Sequence, residues 1–213
     1  MAARFPGLYL ILDAALCSGS PVELAERLAA SGAQLLQYRD KHASAQRLYE
    51  ICAAIARRLE VFSTRFVVND RADVAALVGA GAVHVGQEDL PVAAVRSIVG
   101  PDCWIGCSTH TLDQVRQADL TDADYIAFGP IFPTTTKAAS DPVVGTDGLR
   151  QARALTRKPL VAIGGIRLDR AEQVWRAGAD SVAVAADILS APDPAARVRD
   201  YRELETRVLA GRS

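Results

Sequence analysis

Apolar residues along this chain fall into short, nearly unbroken runs, and longer amphipathic stretches separate them. Four such runs are "LYLILD" (Leu8–Asp13), "RFVVND" (65–70), "CWIGCST" (103–109) and "PLVAIGG" (159–165). A second pattern recurs beside them. A helix-like segment ends in Gly-Ala or Ala-Asp and a short β-rich run follows at once. It appears as "ASGAQLLQYRD" (residues within 30–40), "LVGAGAVHVGQ" (77–87), "LTDADYIAFGP" (120–130) and "RAGADSVAVAAD" (176–187). Where a glycine is present, it closes the helix in a left-handed cap. The pattern therefore predicts about eight strands, each followed by an amphipathic stretch of helical length.

Strands that are apolar throughout are buried on both faces, as in a parallel sheet covered by helices. About eight βα units in 213 residues predict an α/β protein built as a single-domain (β/α)8 TIM barrel. A doubly wound open sheet is the competing architecture, and no GxGxxG follows the first strand to support it. No linker or low-complexity segment interrupts the pattern, so residues 1–213 read as one domain. A last helix, at about 193–210, is expected to close the ring, with 211–213 frayed.

Composition narrows the function. The formal net charge is -1 and no basic stripe occurs, which argues against a nucleic-acid partner. No apolar run reaches membrane-spanning length. Cys17, Cys52, Cys103 and Cys107 form no CxxC and have no histidine at zinc-finger spacing. Cys103 and Cys107 share one side of a strand and read as small buried side chains. With no signal peptide in view, the expectation is a reducing cytoplasm.

In a barrel of this kind the chemistry sits at the C-terminal ends of the strands. The second strand ends "QYRDK", where Gln37, Arg39 and Lys41 alternate and so point to one side. Two cations and an amide there suit an anion. The next two strand ends supply Asn69, Asp70, Gln87, Glu88 and Asp89. Asp70 and Asp89 come from adjacent strands, and two carboxylates beside two cations suit a divalent metal such as Mg2+. Equally, Asp70 and Asp89 could simply pair with Arg39 and Lys41. The fifth strand ends in Ser108, Thr109 and His110. The sixth ends in "GPIFPTTTK" (129–137), where Thr134, Thr135, Thr136 and Lys137 form a polar, cationic turn suited to phosphate. Gly164, Gly165, Ala185 and Ala186 leave bare backbone at the last two strand ends, a common phosphate site in barrels. The mouth thus offers two anion sites, as an enzyme joining two phosphorylated molecules would need.

The motifs "QYRDK", "VVNDR", "HVGQEDLP", "GCSTHT", "GPIFPTTTK", "AIGGI" and "AGADSVAV" occur in the order and at about the spacing of the thiamine-phosphate synthase family. The resemblance runs from about Leu8 to Leu189. It implies a (β/α)8 barrel that couples hydroxymethylpyrimidine diphosphate to a thiazole phosphate, giving thiamine phosphate and pyrophosphate. It implies that Gln37, Arg39, Lys41 and Asn69 contact the pyrimidine diphosphate. Asp70 and Asp89 would be the Mg2+ ligands, and Ser108 and Lys137 further diphosphate contacts. Thr134 and Thr136 would contact thiazole phosphate or pyrimidine. Gly165, Ala185 and Ala186 would cradle the thiazole phosphate. The sequence departs from the family pattern at 185 and 186, where a larger aliphatic residue followed by a small one is expected. Backbone donors survive that change, and a side-chain hydroxyl contact would not. Two other classes compete: a thiazole tautomerase, an isomerase for which His110 is the candidate acid–base residue, and a non-catalytic phospholigand-binding barrel. Neither needs the full metal and diphosphate set.

Overall fold

The computed structural model describes residues 5–134 and 142–210. Eight strands alternate with helices: β1 (Leu8–Asp13), β2 (Leu35–Arg39), β3 (Arg65–Asn69), β4 (Ala82–Val85), β5 (Trp104–Thr109), β6 (Tyr125–Phe128), β7 (Leu160–Ile163) and β8 (Ser181–Val184). They pair in sequence order, all parallel, and β8 returns to β1, so the sheet closes into a barrel. The intervening helices are α1 (Pro21–Ala30), α2 (Ala45–Leu59), α3 (Ala72–Leu77), α4 (Val92–Val99), α5 (Leu112–Asp119), α6 (Gly145–Leu155) and α7 (Leu168–Arg176). After β8 come the single turn α8 (Ala186–Leu189) and the long α9 (Pro194–Leu209). No helix among the described residues is long and apolar enough to cross a membrane.

The repeated Gly-Ala signal works as its chemistry demands. After α1, Gly32 takes φ 98 and donates to the Ala29 carbonyl, while Ala33 N–H reaches back to Leu28. Gly79 and Gly178 end α3 and α7 in the same way. The helix before β6 lacks the glycine, and the Thr121 hydroxyl instead bonds the Ala118 carbonyl. Helix starts are fixed by side-chain caps at Ser20, Ser44 and Asp193, and by a full capping box of Thr111 with Gln114.

Two apolar layers result. The outer one lies between strands and helices and holds Leu8, Leu10, Leu12, Val83, Ile105 and Trp175. The inner one fills the barrel with Tyr9, Ile11, Leu35, Val67, Ala82, Tyr125, Ala127, Val161 and Ala183. At the N-terminal end, Phe5 stacks on Trp104 at 5.5 Å and the Arg65 guanidinium lies 3.7 Å from the Trp104 ring centre. That floor leaves the opposite, C-terminal mouth for a ligand. Helix α9 closes the ring: Glu205 accepts from Gly7 N–H at 2.9 Å, and Trp175 of α7 donates to the Gly7 carbonyl at 3.1 Å.

Candidate active site

Strand register brings the polar strand ends together. Asp13 and Arg39 are direct neighbours across β1 and β2, and the Arg39 guanidinium donates to Asp13 at 2.5 Å. Strand β2 stops at Arg39, because the Asp40 carboxylate accepts from the N–H groups of His42 and Ala43 and folds the chain into a turn. The reading of Gln37, Arg39 and Lys41 as one alternating strand row therefore holds for the first two only. Lys41 sits in the turn and reaches across to Asp70 at 2.5 Å. The simple pairing weighed from the sequence is thus half right: Lys41 pairs with Asp70, whereas Arg39 takes Asp13.

Asp70 follows β3 with φ 61, a left-handed value that no other non-glycine residue adopts among the described residues. Its N–H donates to the His84 carbonyl at 2.7 Å, and Arg71 N–H turns back to Asn69. The turn aims the Asp70 carboxylate at Asp89. Burial raises the Asp70 carboxyl above its ordinary range, Lys41 opposes that rise, and the neighbouring Asp89 adds to it. Asp89 is itself anchored by Gly86 N–H at 2.7 Å. The Asp70 carboxylate, held by Lys41, and the Asp89 carboxylate, held by the Gly86 N–H, form a donor pair suited to a hard cation with remaining positions open to water and phosphate. Among the described residues no group of three or more His, Cys, Asp or Glu side chains that could hold a metal ion occurs.

Gln37 and Ser108 lie deeper. The Gln37 side-chain N–H donates to the Tyr9 hydroxyl at 2.6 Å, and Ser108 Oγ meets His84 Nε2 at 2.8 Å. His84 is buried and hydrogen-bonded at both ring nitrogens, as its place within a strand leads one to expect. Burial pushes its pKa down to about 4, so the ring is neutral near pH 7. Asn69, at the end of β3, is half-buried beside this group. His110 Nδ1 lies 2.8 Å from the Gly129 carbonyl.

At the other side of the mouth, Gly164 and Gly165 take φ 99 and 61. Their bare Cα positions are filled first by the protein. A Cβ at Gly164 would lie 2.5 Å from Pro130 Cβ, and one at Gly165 would lie 2.4 Å from the Pro133 carbonyl. The segment after β6 crosses here, with Ile131 and Phe132 N–H bonding Ile163 and Gly164. These glycines thus serve the crossing of that segment as well as any ligand. Thr134 is exposed at its end, and Ala185 and Ala186 lie half-buried and exposed at the start of α8. Thr136 and Lys137 lie outside the described residues.

Sequence reasoning missed Asp13, Tyr9 and Tyr125. Asp13 was visible as the polar end of an apolar strand. The two tyrosines carried no signal, because tyrosine is an ordinary strand residue.

Comparison with known proteins agrees with the fold. A family model described as thiamine monophosphate synthase matches residues 8–188. The thiamine-phosphate synthase of Koribacter versatilis is 44% identical over 206 residues, covering 94% of this chain and 96% of that protein. That of Moorella thermoacetica is 41% identical, with the same coverage. The solved thiamine phosphate pyrophosphorylase from Pyrococcus furiosus superposes with a TM-score of 0.87 at 32% identity, covering 95% of this chain and 96% of its own.

Proposed function

The chain belongs to the thiamine monophosphate synthase family, and from that premise we propose how its mouth carries out the reaction. The protein is a transferase that forms thiamine phosphate with release of pyrophosphate. Its substrates in this reading are 4-amino-2-methyl-5-hydroxymethylpyrimidine diphosphate and a thiazole phosphate. The observation that carries the assignment of roles is the convergence of Arg39, Lys41, Asp70 and Asp89 on one mouth, above Gln37 and Ser108.

Asp70 and Asp89 would hold Mg2+, which when bound supplies positive charge to the diphosphate oxygens. Arg39 and Lys41 are held in place by Asp13 and Asp70 before substrate arrives. A diphosphate would take Lys41 from Asp70, freeing that carboxylate for the cation. Arg39, Lys41 and Ser108 then face the departing diphosphate, and Lys137, after β6 in the sequence, is given the same role. They stabilise charge as it grows on the leaving oxygens. Gln37 and Asn69 orient the aminopyrimidine, whose ring electrons stabilise the methylene cation left when the C–O bond breaks. The thiazole nitrogen carries no proton, so its attack needs no general base. Holding that nitrogen in line is the remaining task, given to the backbone at Gly165, Ala185 and Ala186 and to Thr134 and Thr136.

Free cysteines, three of them buried, support a reducing, cytoplasmic setting. The roles are tested by Arg39→Met assayed for both products. A fall in kcat of about 10²–10³ is expected, as for loss of an oxyanion donor, with the thiazole-phosphate KM unchanged. Wild-type kcat in that variant would remove Arg39 from the chemistry.

A further inference from the structure

Beneath the mouth, four hydrogen bonds link side chains from five strands. Gln37 Nε2 donates to Tyr9 Oη at 2.6 Å, and Tyr9 Oη lies 2.9 Å from Tyr125 Oη. Tyr125 Oη lies 3.1 Å from His84 Nδ1, and His84 Nε2 lies 2.8 Å from Ser108 Oγ. Tyr9 and Tyr125 are each about 1% exposed or less. Space for the group is built into β5. A Cβ at Gly106 would lie 2.1 Å from the Tyr125 ring and 2.4 Å from His84 Nδ1.

Each phenol has one proton to give. With the Gln37 N–H entering Tyr9, the Tyr9 proton must go to Tyr125. The Tyr125 proton must then go to His84 Nδ1, and the neutral imidazole carries its proton on Nε2 and gives it to Ser108. The opposite imidazole tautomer would leave one buried phenol proton without an acceptor among the described residues, a costly loss in a dry interior. Burial keeps both phenols protonated.

We propose that Tyr9, Tyr125 and His84 are positioning residues forming a one-way hydrogen-bond chain that fixes Gln37 as an acceptor and Ser108 as a donor toward the mouth. The chain rests on the reading that Gln37 and Ser108 face the two halves of the pyrimidine diphosphate. Its two ends match that ligand. The Gln37 carbonyl is left to accept from the ring amino group, and the Ser108 hydroxyl proton is left for an anionic oxygen. Turning the Gln37 amide over would reverse every bond and present the wrong partner at both ends, so the two halves of the substrate are read through one shared setting.

The test is nitrogen NMR on the full chain labelled with 15N-histidine, near pH 7 and without substrate. The chain predicts that His84 is neutral with its proton on Nε2. A proton on Nδ1, or a charged ring, overturns it. Tyr125→Phe keeps the ring and removes the link. It should give a mixture of His84 tautomers and raise KM for the pyrimidine diphosphate about tenfold, leaving KM for thiazole phosphate in place. An unchanged tautomer with unchanged kinetics contradicts the proposal. Added to Ser108→Ala, Tyr125→Phe should cost little more, and fully additive losses would overturn the coupling. If the Nε2 proton is found while Ser108→Ala leaves all kinetics untouched, the chain stands and the assignment of Ser108 to the diphosphate fails.

Discussion

Asp70 concentrates two demands at one residue. In the proposed role it needs a carboxylate for the cation and a left-handed backbone, φ 61, to aim it. Asparagine tolerates that backbone while removing the charge, so Asp70→Asn isolates the electrostatics where alanine would add strain. We expect turnover to fall by about 10²–10³ with a melting temperature close to wild type. Normal turnover would remove Asp70 from the cation site. His84 makes a second prediction. Its folded pKa of about 4 lies below the ordinary 6.5, so the unfolded chain takes up the proton first as pH falls. The contribution is therefore complete above pH 6.5 and lost progressively toward pH 4. Between pH 7 and 5 that loss is about 2 kcal/mol, and urea unfolding of wild type should exceed His84→Asn in pH dependence by that amount. Equal slopes would contradict a neutral, buried His84. At this scale the sequence disclosed the residue types at the strand ends but not their partners. Asp13 meets Arg39 only because β1 and β2 pair in one register, and register is a property of the closed sheet.

The elements were the most legible part of the molecule. Leu8–Asp13 is the first strand from end to end, and each of the other apolar runs contains its strand. The reason is physical: a strand buried on both faces has no polar position to blur it. Boundaries were less clear where side chains decide them, as where Asp40 ends β2 and takes Lys41 off the strand row. The glycines after β7 were read as a phosphate site, and the space beside their Cα atoms also admits the crossing segment after β6, a contact between units that local sequence does not carry. It predicts that Gly164→Ala, at φ 99 and with Pro130 Cβ 2.5 Å from the new atom, destabilises the protein by about 3 kcal/mol. The melting temperature should fall by roughly 6–12 °C. A fall under a few degrees would show that the crossing segment moves aside freely.

Over the whole molecule, the floor at one end and the charged mouth at the other give the barrel a direction. Phe5, Trp104 and Arg65 fill the N-terminal end, the tyrosine–histidine group sits above them, and the cations and carboxylates crown the strands. Helix α9 ties the first strand to the last helices through Gly7 and Glu205, so the mouth is framed by a closed ring. The barrel and the set of strand ends were readable from periodicity and motif order. The vertical ordering of the interior was not, because it depends on side chains from five strands meeting in space. The central claim is that this mouth joins its two substrates with the aid of a cation held by Asp70 and Asp89. Its most direct test is one incubation of the purified protein with the pyrimidine diphosphate and the thiazole phosphate. Thiamine phosphate would be read by the fluorescence of its oxidised form. Product should form with Mg2+, stop with EDTA and return when Mg2+ is restored in excess. Product at an undiminished rate in EDTA, or no product from folded protein in Mg2+, would contradict the account.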